Sequence, residues 1–304
     1  MSNILDQLQR QVLLCDGAMG TQVQVRDLDI DSDFMGKENC TEVLNLSRPD
    51  VVRDIHTDYL KAGSDLIQTN TFGGSPLTLA EFDLEDQAFE INRLAGELAH
   101  EAIDGLGPDS KPRFVMGAIG PGTRLPSLGH IDYAALETAL TVQCEGLAAG
   151  RVDAFLIETC QDTLQIKAAV NGAKKARLAS GRDIPIFVQV TVETTGTLLV
   201  GSDIAAAATS LHALGIDSLG LNCATGPQEM GEHVKWLSEN WPGFISVQPN
   251  AGLPELVDGH THYPLGPEEA ARWLERFVRE DGVNIVGGCC GTTPKHIEAF
   301  DQML

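Results

Sequence analysis

No stretch of this 304-residue chain approaches the roughly 18 consecutive apolar residues of a membrane-crossing helix, so no transmembrane segment is expected. Basic residues are scarce, 21 Lys and Arg against 43 Asp and Glu, for a net charge of −22. A chain this acidic repels phosphate backbones and anionic lipid, so neither nucleic acid nor a membrane surface is expected as a partner. The opening Met-Ser-Asn-Ile-Leu-Asp-Gln has no basic segment followed by an apolar one, so it does not read as a secretory signal. The expected location is cytoplasmic. An even, closely spaced cysteine set is also missing: the seven cysteines (15, 40, 144, 160, 223, 289 and 290) are scattered. That argues against a disulfide framework and for metal-binding or reactive thiols among them. Cys144, in a helical pattern, and Cys160, just past a strand, read as small buried hydrophobes. No Ser/Gly linker or low-complexity run divides the chain, so residues 1–304 are expected to form one domain.

One pattern repeats to the end: a short apolar strand, a loop rich in Gly, Asn, Thr or Cys, then an amphipathic helix. It predicts eight strands, at 12–15, 65–69, 113–118, 154–158, 186–192, 218–221, 244–248 and 283–286. Helices are predicted at 49–62, 134–149, 163–179, 203–214 and 267–280, with Pro49 in a first turn and Ser202-Asp203 as a cap. Strands alternating with helices imply a parallel sheet, and eight such units imply a closed (β/α)8 TIM-type barrel, an α/β fold. An open doubly wound sheet is the alternative. It is disfavoured because Asp16-Gly-Ala-Met-Gly-Thr21 lacks the spacing of a dinucleotide fingerprint.

Functional groups of such a barrel gather at the C-terminal ends of its strands. There the chain offers Asp16-Gly17, Asn70-Thr71, Gly120-Pro121, Glu158-Thr159, Thr191 with Glu193, Asn222-Cys223, Asn250 and Cys289-Cys290. Adjacent cysteines in a strand would point apart, but Gly287, Gly288 and Gly291 allow both sulfurs to turn toward one point. Cys223 supplies a third sulfur two strands away. Three thiolates without a fourth protein ligand suit Zn²⁺ with an open position; sulfur makes Mg²⁺ or Ca²⁺ unsuitable. Taken alone, Cys289-Cys290 also reads as packing or as a redox pair, and Gly287-Gly288 as a phosphate loop. A phosphate-binding aldolase-type barrel would need a strand-end lysine, and the rim offers none. His260-Thr-His262 has a two-histidine spacing but reads as a solvated loop. Asp54-Ile-His56 matches only the start of the cobalamin-ligating pattern Asp-x-His-x-x-Gly, since position 59 is Tyr.

Asp16-Gly-Ala-Met-Gly-Thr21, Thr69-Asn-Thr-Phe72, Leu221-Asn-Cys223, Pro249-Asn-Ala-Gly252 and Gly287-Gly-Cys-Cys-Gly-Thr-Thr-Pro294 resemble the motifs of the homocysteine S-methyltransferase family. The likeness runs from about residue 10 to 300 and is greatest to the amino-terminal homocysteine-binding modules of cobalamin-dependent members. The resemblance implies that Zn²⁺ on Cys223, Cys289 and Cys290 binds homocysteine as a thiolate for methylation to methionine. It further implies that the amino acid is gripped by Asp16, Gly17, Ala18 and Met19, with Glu158 and Asn250 reaching its ammonium group. The expected donor is methylcobalamin on a corrinoid protein or domain. A free-standing enzyme using S-methylmethionine or a betaine is one alternative, and a non-catalytic zinc- or thiol-binding subunit is another.

Overall fold

In six of the barrel strands, residues alternate between two apolar environments. Leu13, Leu66, Met116, Leu156, Phe187 and Ile285 meet in one cluster, while Leu14, Ile67, Val115, Phe155, Val188 and Val286 belong to another that includes the surrounding helices. The first cluster is the barrel interior. The computed structural model describes residues 3–107, 111–257 and 259–304, with the side chain of His260 also outside the described set. The parallel strands are β1 (Leu13–Leu14), β2 (Leu66–Gln68), β3 (Phe114–Ile119), β4 (Ala154–Cys160), β5 (Ile186–Val190), β6 (Ser218–Asn222), β7 (Phe244–Gln248) and β10 (Ile285–Val286). Their order is β1-β10-β7-β6-β5-β4-β3-β2, and a parallel bridge from Cys15 to Leu66 joins the two ends. The expected (β/α)8 barrel is therefore the architecture found. One addition was not foreseen: an antiparallel hairpin, β8 (Glu255–Val257) with β9 (His260–His262), stands where a plain loop was expected.

Helix boundaries follow their caps. Asp203 accepts from Ala206 N–H at 2.8 Å to start the helix Ile204–His212, so Asp203 is the cap rather than the first helical residue. Pro49 occupies the first turn of Pro49–Lys61, as expected. A short helix, Ile4–Leu8, was not foreseen; it buries Ile4 and Leu8 against the interior cluster and closes the lower end of the barrel.

Alternate strands are clamped at that lower end by one repeated device. Asp65, Asp153, Asp217 and Asn284 stand just before β2, β4, β6 and β10. Their side chains accept from the backbone N–H of Leu14, Val115, Ile186 and Ile245 at 2.8–2.9 Å. In return, the N–H of each clamp residue donates to the carbonyl of the same partner, at 2.7–2.9 Å. Two-point pairing of this kind sets the strand register, which sets the height of every side chain at the opposite rim. Asp217→Ala orphans the Ile186 N–H and is expected to cost about 1–3 kcal/mol in urea unfolding, with Asp217→Asn nearer wild type because Asn284 already does the same work.

His56 lies in the helix Pro49–Lys61, fully buried, and among the described residues neither ring nitrogen has a hydrogen-bond partner. Burial lowers its pKa to about 4 from the ordinary 6.5. Below pH 6.5 the unfolded chain therefore takes up a proton that the folded chain refuses, and the unfolded state gains. The stability attached to a neutral His56 is complete above pH 6.5 and is lost as pH falls toward 4, by about 3 kcal/mol. Acid unfolding of His56→Leu is expected to show a shallower loss across that window than wild type; parallel curves would contradict the assignment.

Candidate metal centre and substrate cavity

Cys223 follows β6 directly, and its backbone turns sharply: Cys223 and Ala224 adopt left-handed conformations with φ of 60° and 55°. Such conformations cost about 1–3 kcal/mol per non-glycine residue. They are held here by hydrogen bonds from Cys223 N–H to Gln248 O at 3.2 Å and from Thr225 N–H to Cys223 O at 2.7 Å. On the other side, β10 runs into Gly287 and Gly288. A Cβ on Gly287 would lie 2.8 Å from Cys15 Cβ, and one on Gly288 would lie 2.0 Å from Thr292 Oγ1. These glycines are needed for close backbone approach beneath the cysteines, which accounts for them without a phosphate.

Residues just past β7 tie the two cysteine segments together. Cys289 N–H donates to Pro249 O at 2.8 Å, Cys290 N–H to Asn250 Oδ1 at 3.1 Å, and Ala251 N–H to Cys290 O at 2.9 Å. Asn250 N–H reaches Thr225 O at 3.1 Å on the Cys223 side. Residues 248–251 thus form a bracket from which all three cysteines hang. The result is three half-buried sulfurs within 4.8 Å of one another.

Three thiols this close cannot ionise independently. Cys290 is lowered to about 3 by hydrogen bonds from Cys223, then Cys289, and also from Tyr263. Cys289 is raised well above its ordinary value by its hydrogen bonds to Cys223 and Cys290 and by burial. Cys223 moves up to about 11, its hydrogen bond with Cys289 pulling down but outweighed by that with Cys290 and by burial. The cluster holds one negative charge and resists a second, and a divalent cation removes that resistance. Tetrahedral zinc, with bonds of about 2.3 Å to sulfur, holds its ligands roughly 3.8 Å apart, so this donor set fits in both spacing and softness. Among the described residues no other group of three His, Cys, Asp or Glu side chains is close enough to share an ion. His262 is exposed, and the His260 side chain lies outside the described residues. Cys144 and Cys160 are buried, and Asp54 is exposed on its helix.

The sulfurs form one wall of a cavity of about 530 Å³ at the C-terminal mouth of the barrel. Asp16, Gly17, Ala18, Met19 and Glu158 line it too, so the structure brings these expected residues to one place. Gly17 lies so close to the loop after Cys290 that a Cβ would sit 2.7 Å from Thr292 O. Asp16 is 2% exposed and accepts from Gln68 N–H at 2.9 Å and Gln68 Nε2 at 3.2 Å. Burial raises its pKa to about 7. Glu158 is raised to about 8, first by burial and then by the charges of Asp16 and Cys290. Two reluctant carboxyls on a cavity wall form a site whose electrostatics favour a bound cation.

Asn250 does not line the cavity. It is 4% exposed, and its oxygen is taken by Cys290 N–H. Asn70, Thr71, Asn222 and Thr159 from the predicted rim do line it; Gly120, Pro121, Thr191 and Glu193 do not. Gln68, Gln248, Thr261 and Tyr263 line it without having been anticipated. The two glutamines had a signal, as polar side chains at the ends of otherwise apolar strands.

Comparison with known proteins bears on the family and the fold. The family described as homocysteine S-methyltransferase matches residues 13–304. The chain is similar to the methionine synthase of Mycobacterium tuberculosis (strain ATCC 25618 / H37Rv), 49% identical over 296 residues that cover 97% of this chain and 25% of that protein. Likeness to the methionine synthase of Mycobacterium leprae (strain TN) is 48%, covering 97% of this chain and 24% of that protein. The chain therefore spans about a quarter of the length of these curated relatives. Among solved structures, the metallated form of the homocysteine methyltransferase MmuM from Escherichia coli superposes with a TM-score of 0.79 at 22% identity over 98% of both chains, a likeness of fold. By a match across nearly its whole length, the chain belongs to the homocysteine S-methyltransferase family.

Proposed function

We propose that this chain is a single homocysteine-activating domain that holds Zn²⁺ on Cys223, Cys289 and Cys290 and methylates homocysteine to methionine. The observation that carries the reading is the cluster of three sulfurs on the wall of a cavity that also presents two buried carboxyls. Bound there, zinc supplies the positive charge that ionises a substrate thiol, ordinarily protonated at neutral pH, and leaves one position for it. The chain's own residues supply the rest. Glu158 and Asp16 face the substrate ammonium, which satisfies carboxyls that burial otherwise keeps from ionising. The loop from Gly17 to Met19 lines the same cavity, which supports its contact with the amino-acid end. Asn250 serves through Cys290, whose N–H it accepts, and not through the substrate.

The donor in this reading is methylcobalamin, presented by a corrinoid domain or partner. It is supported by the methionine synthase names of relatives about four times as long as the aligned region. The open mouth of the cavity lets a donor approach from outside the barrel.

Purified chain is expected to carry one zinc, Cys223→Ala to lose it, and Cys144→Ala to keep it. Metal analysis checks this, and full retention by Cys223→Ala would remove the basis of the proposal. Glu158→Gln is expected to weaken homocysteine binding by about 30-fold or more, the scale of a broken buried charge pair. Binding of 4-mercaptobutyrate, which lacks the ammonium group, is expected to change little. Equal losses for both ligands would show that Glu158 acts on something other than the ammonium.

A further inference from the structure

We propose that Asn222 is a positioning residue for the substrate ammonium group, its side-chain amide holding the Glu158–Thr159 turn so that the Glu158 carboxyl faces the cavity. The inference rests on the reading that Glu158 meets the ammonium, and deepens it by naming what aims that carboxyl. It starts from an irregularity in β4. Ile157 pairs with Val188 and Cys160 with Val190, so β4 takes three residue steps where β5 takes two. One extra residue of this kind is a bulge, which re-aims side chains beside a site. Neighbours in a regular strand face opposite sides, but Glu158 and Thr159 both line the cavity. The irregularity sits at Thr159, whose φ of 58° is left-handed. A β-branched residue in that conformation is strained and persists only where its surroundings hold it.

Asn222, at the end of β6, does the holding. Thr159 N–H donates to Asn222 Oδ1 at 2.9 Å, and Asn222 Nδ2 donates to Thr159 Oγ1 at 2.8 Å. A backbone N–H can only donate, so the first bond fixes which way the amide faces. Its Nδ2 also lies 3.5 Å from Glu158 Oε2. The clamp is anchored across the end of β5: Thr191 Oγ1 donates to Asn222 O at 3.0 Å, while Thr191 N–H donates to Cys160 O at 2.9 Å, just past the bulge. Asn222 is 1% exposed and immediately precedes Cys223. The two groups that meet opposite ends of the substrate, carboxyl and sulfur, are therefore referred to one strand end.

Asn222→Ala in the full chain leaves the Thr159 N–H without its acceptor, and the turn relaxes toward a regular strand. The variant is expected to keep its zinc and to bind homocysteine about 10-fold more weakly, the scale of one lost buried hydrogen bond. Binding of 4-mercaptobutyrate, which lacks the ammonium group, is expected not to change. In a double-mutant cycle with Glu158→Gln the two losses are expected not to add, because Asn222 acts through the carboxyl. Additive losses, or an equal loss for 4-mercaptobutyrate, would overturn the proposal. So would loss of zinc from Asn222→Ala, which would show that the side chain supports Cys223 instead. If Asn222→Ala does not fold, Asn222→Ser is read in its place by the same outcomes. Glu158→Gln binding homocysteine as tightly as wild type would remove the ammonium reading itself, whereas a loss in Glu158→Gln with none in Asn222→Ala removes only the role of the asparagine.

Discussion

Everything at the mouth of this barrel depends on the hydrogen bonds made by residues 248–251. This short segment contributes no sulfur, yet Cys223, Cys289 and Cys290 are all fastened to it, through Gln248 O, Pro249 O, the Asn250 side chain and Ala251 N–H. Side-chain packing could not do the same work, because half-buried thiols make few fixed contacts and repel one another once more than one ionises. Backbone amides have fixed positions, set by the strand that carries them. The strain at Cys223 and Ala224 is tolerated because both ends of the turn are tied to that strand.

The barrel interior changes character along its axis. At the lower end, Ile4 and Leu8 seal an apolar core, and the Asp and Asn clamps hold the strands in register. Above it lies a polar belt in which Gln189 donates to Gln248 Oε1 at 2.6 Å, and Gln68 and Gln248 both approach Cys15 Sγ at 3.4 Å. The belt supports Asp16 and the floor of the cavity. Packing at one end therefore fixes chemistry at the other through strands too short to bend independently.

Much of this was legible in the sequence because it is carried by side-chain type and period. Eight apolar runs with polar ends predicted the barrel, and three strand-end cysteines predicted the thiol cluster. What stayed hidden is carried by backbone geometry. Asn250 stood at a predicted strand end and invited a role toward substrate, but an asparagine's period does not reveal that its oxygen is spent on Cys290 N–H. The hairpin was obscured because Glu255–His262 contains glycine and charged residues, and its strands pair only with each other. Tyr263 had no sequence signal, since its partner Gly291 lies 28 residues further on and the two are matched by shape alone.

The central claim is that the chain presents three sulfurs to a metal and leaves the fourth position to the substrate's own sulfur. X-ray absorption at the zinc edge, recorded with and without homocysteine, reads this directly. The account predicts three sulfur neighbours at about 2.3 Å in the free chain and four when homocysteine is bound. A sulfur count that stays at three on saturation with homocysteine, or a free site already completed by four sulfurs, would contradict it.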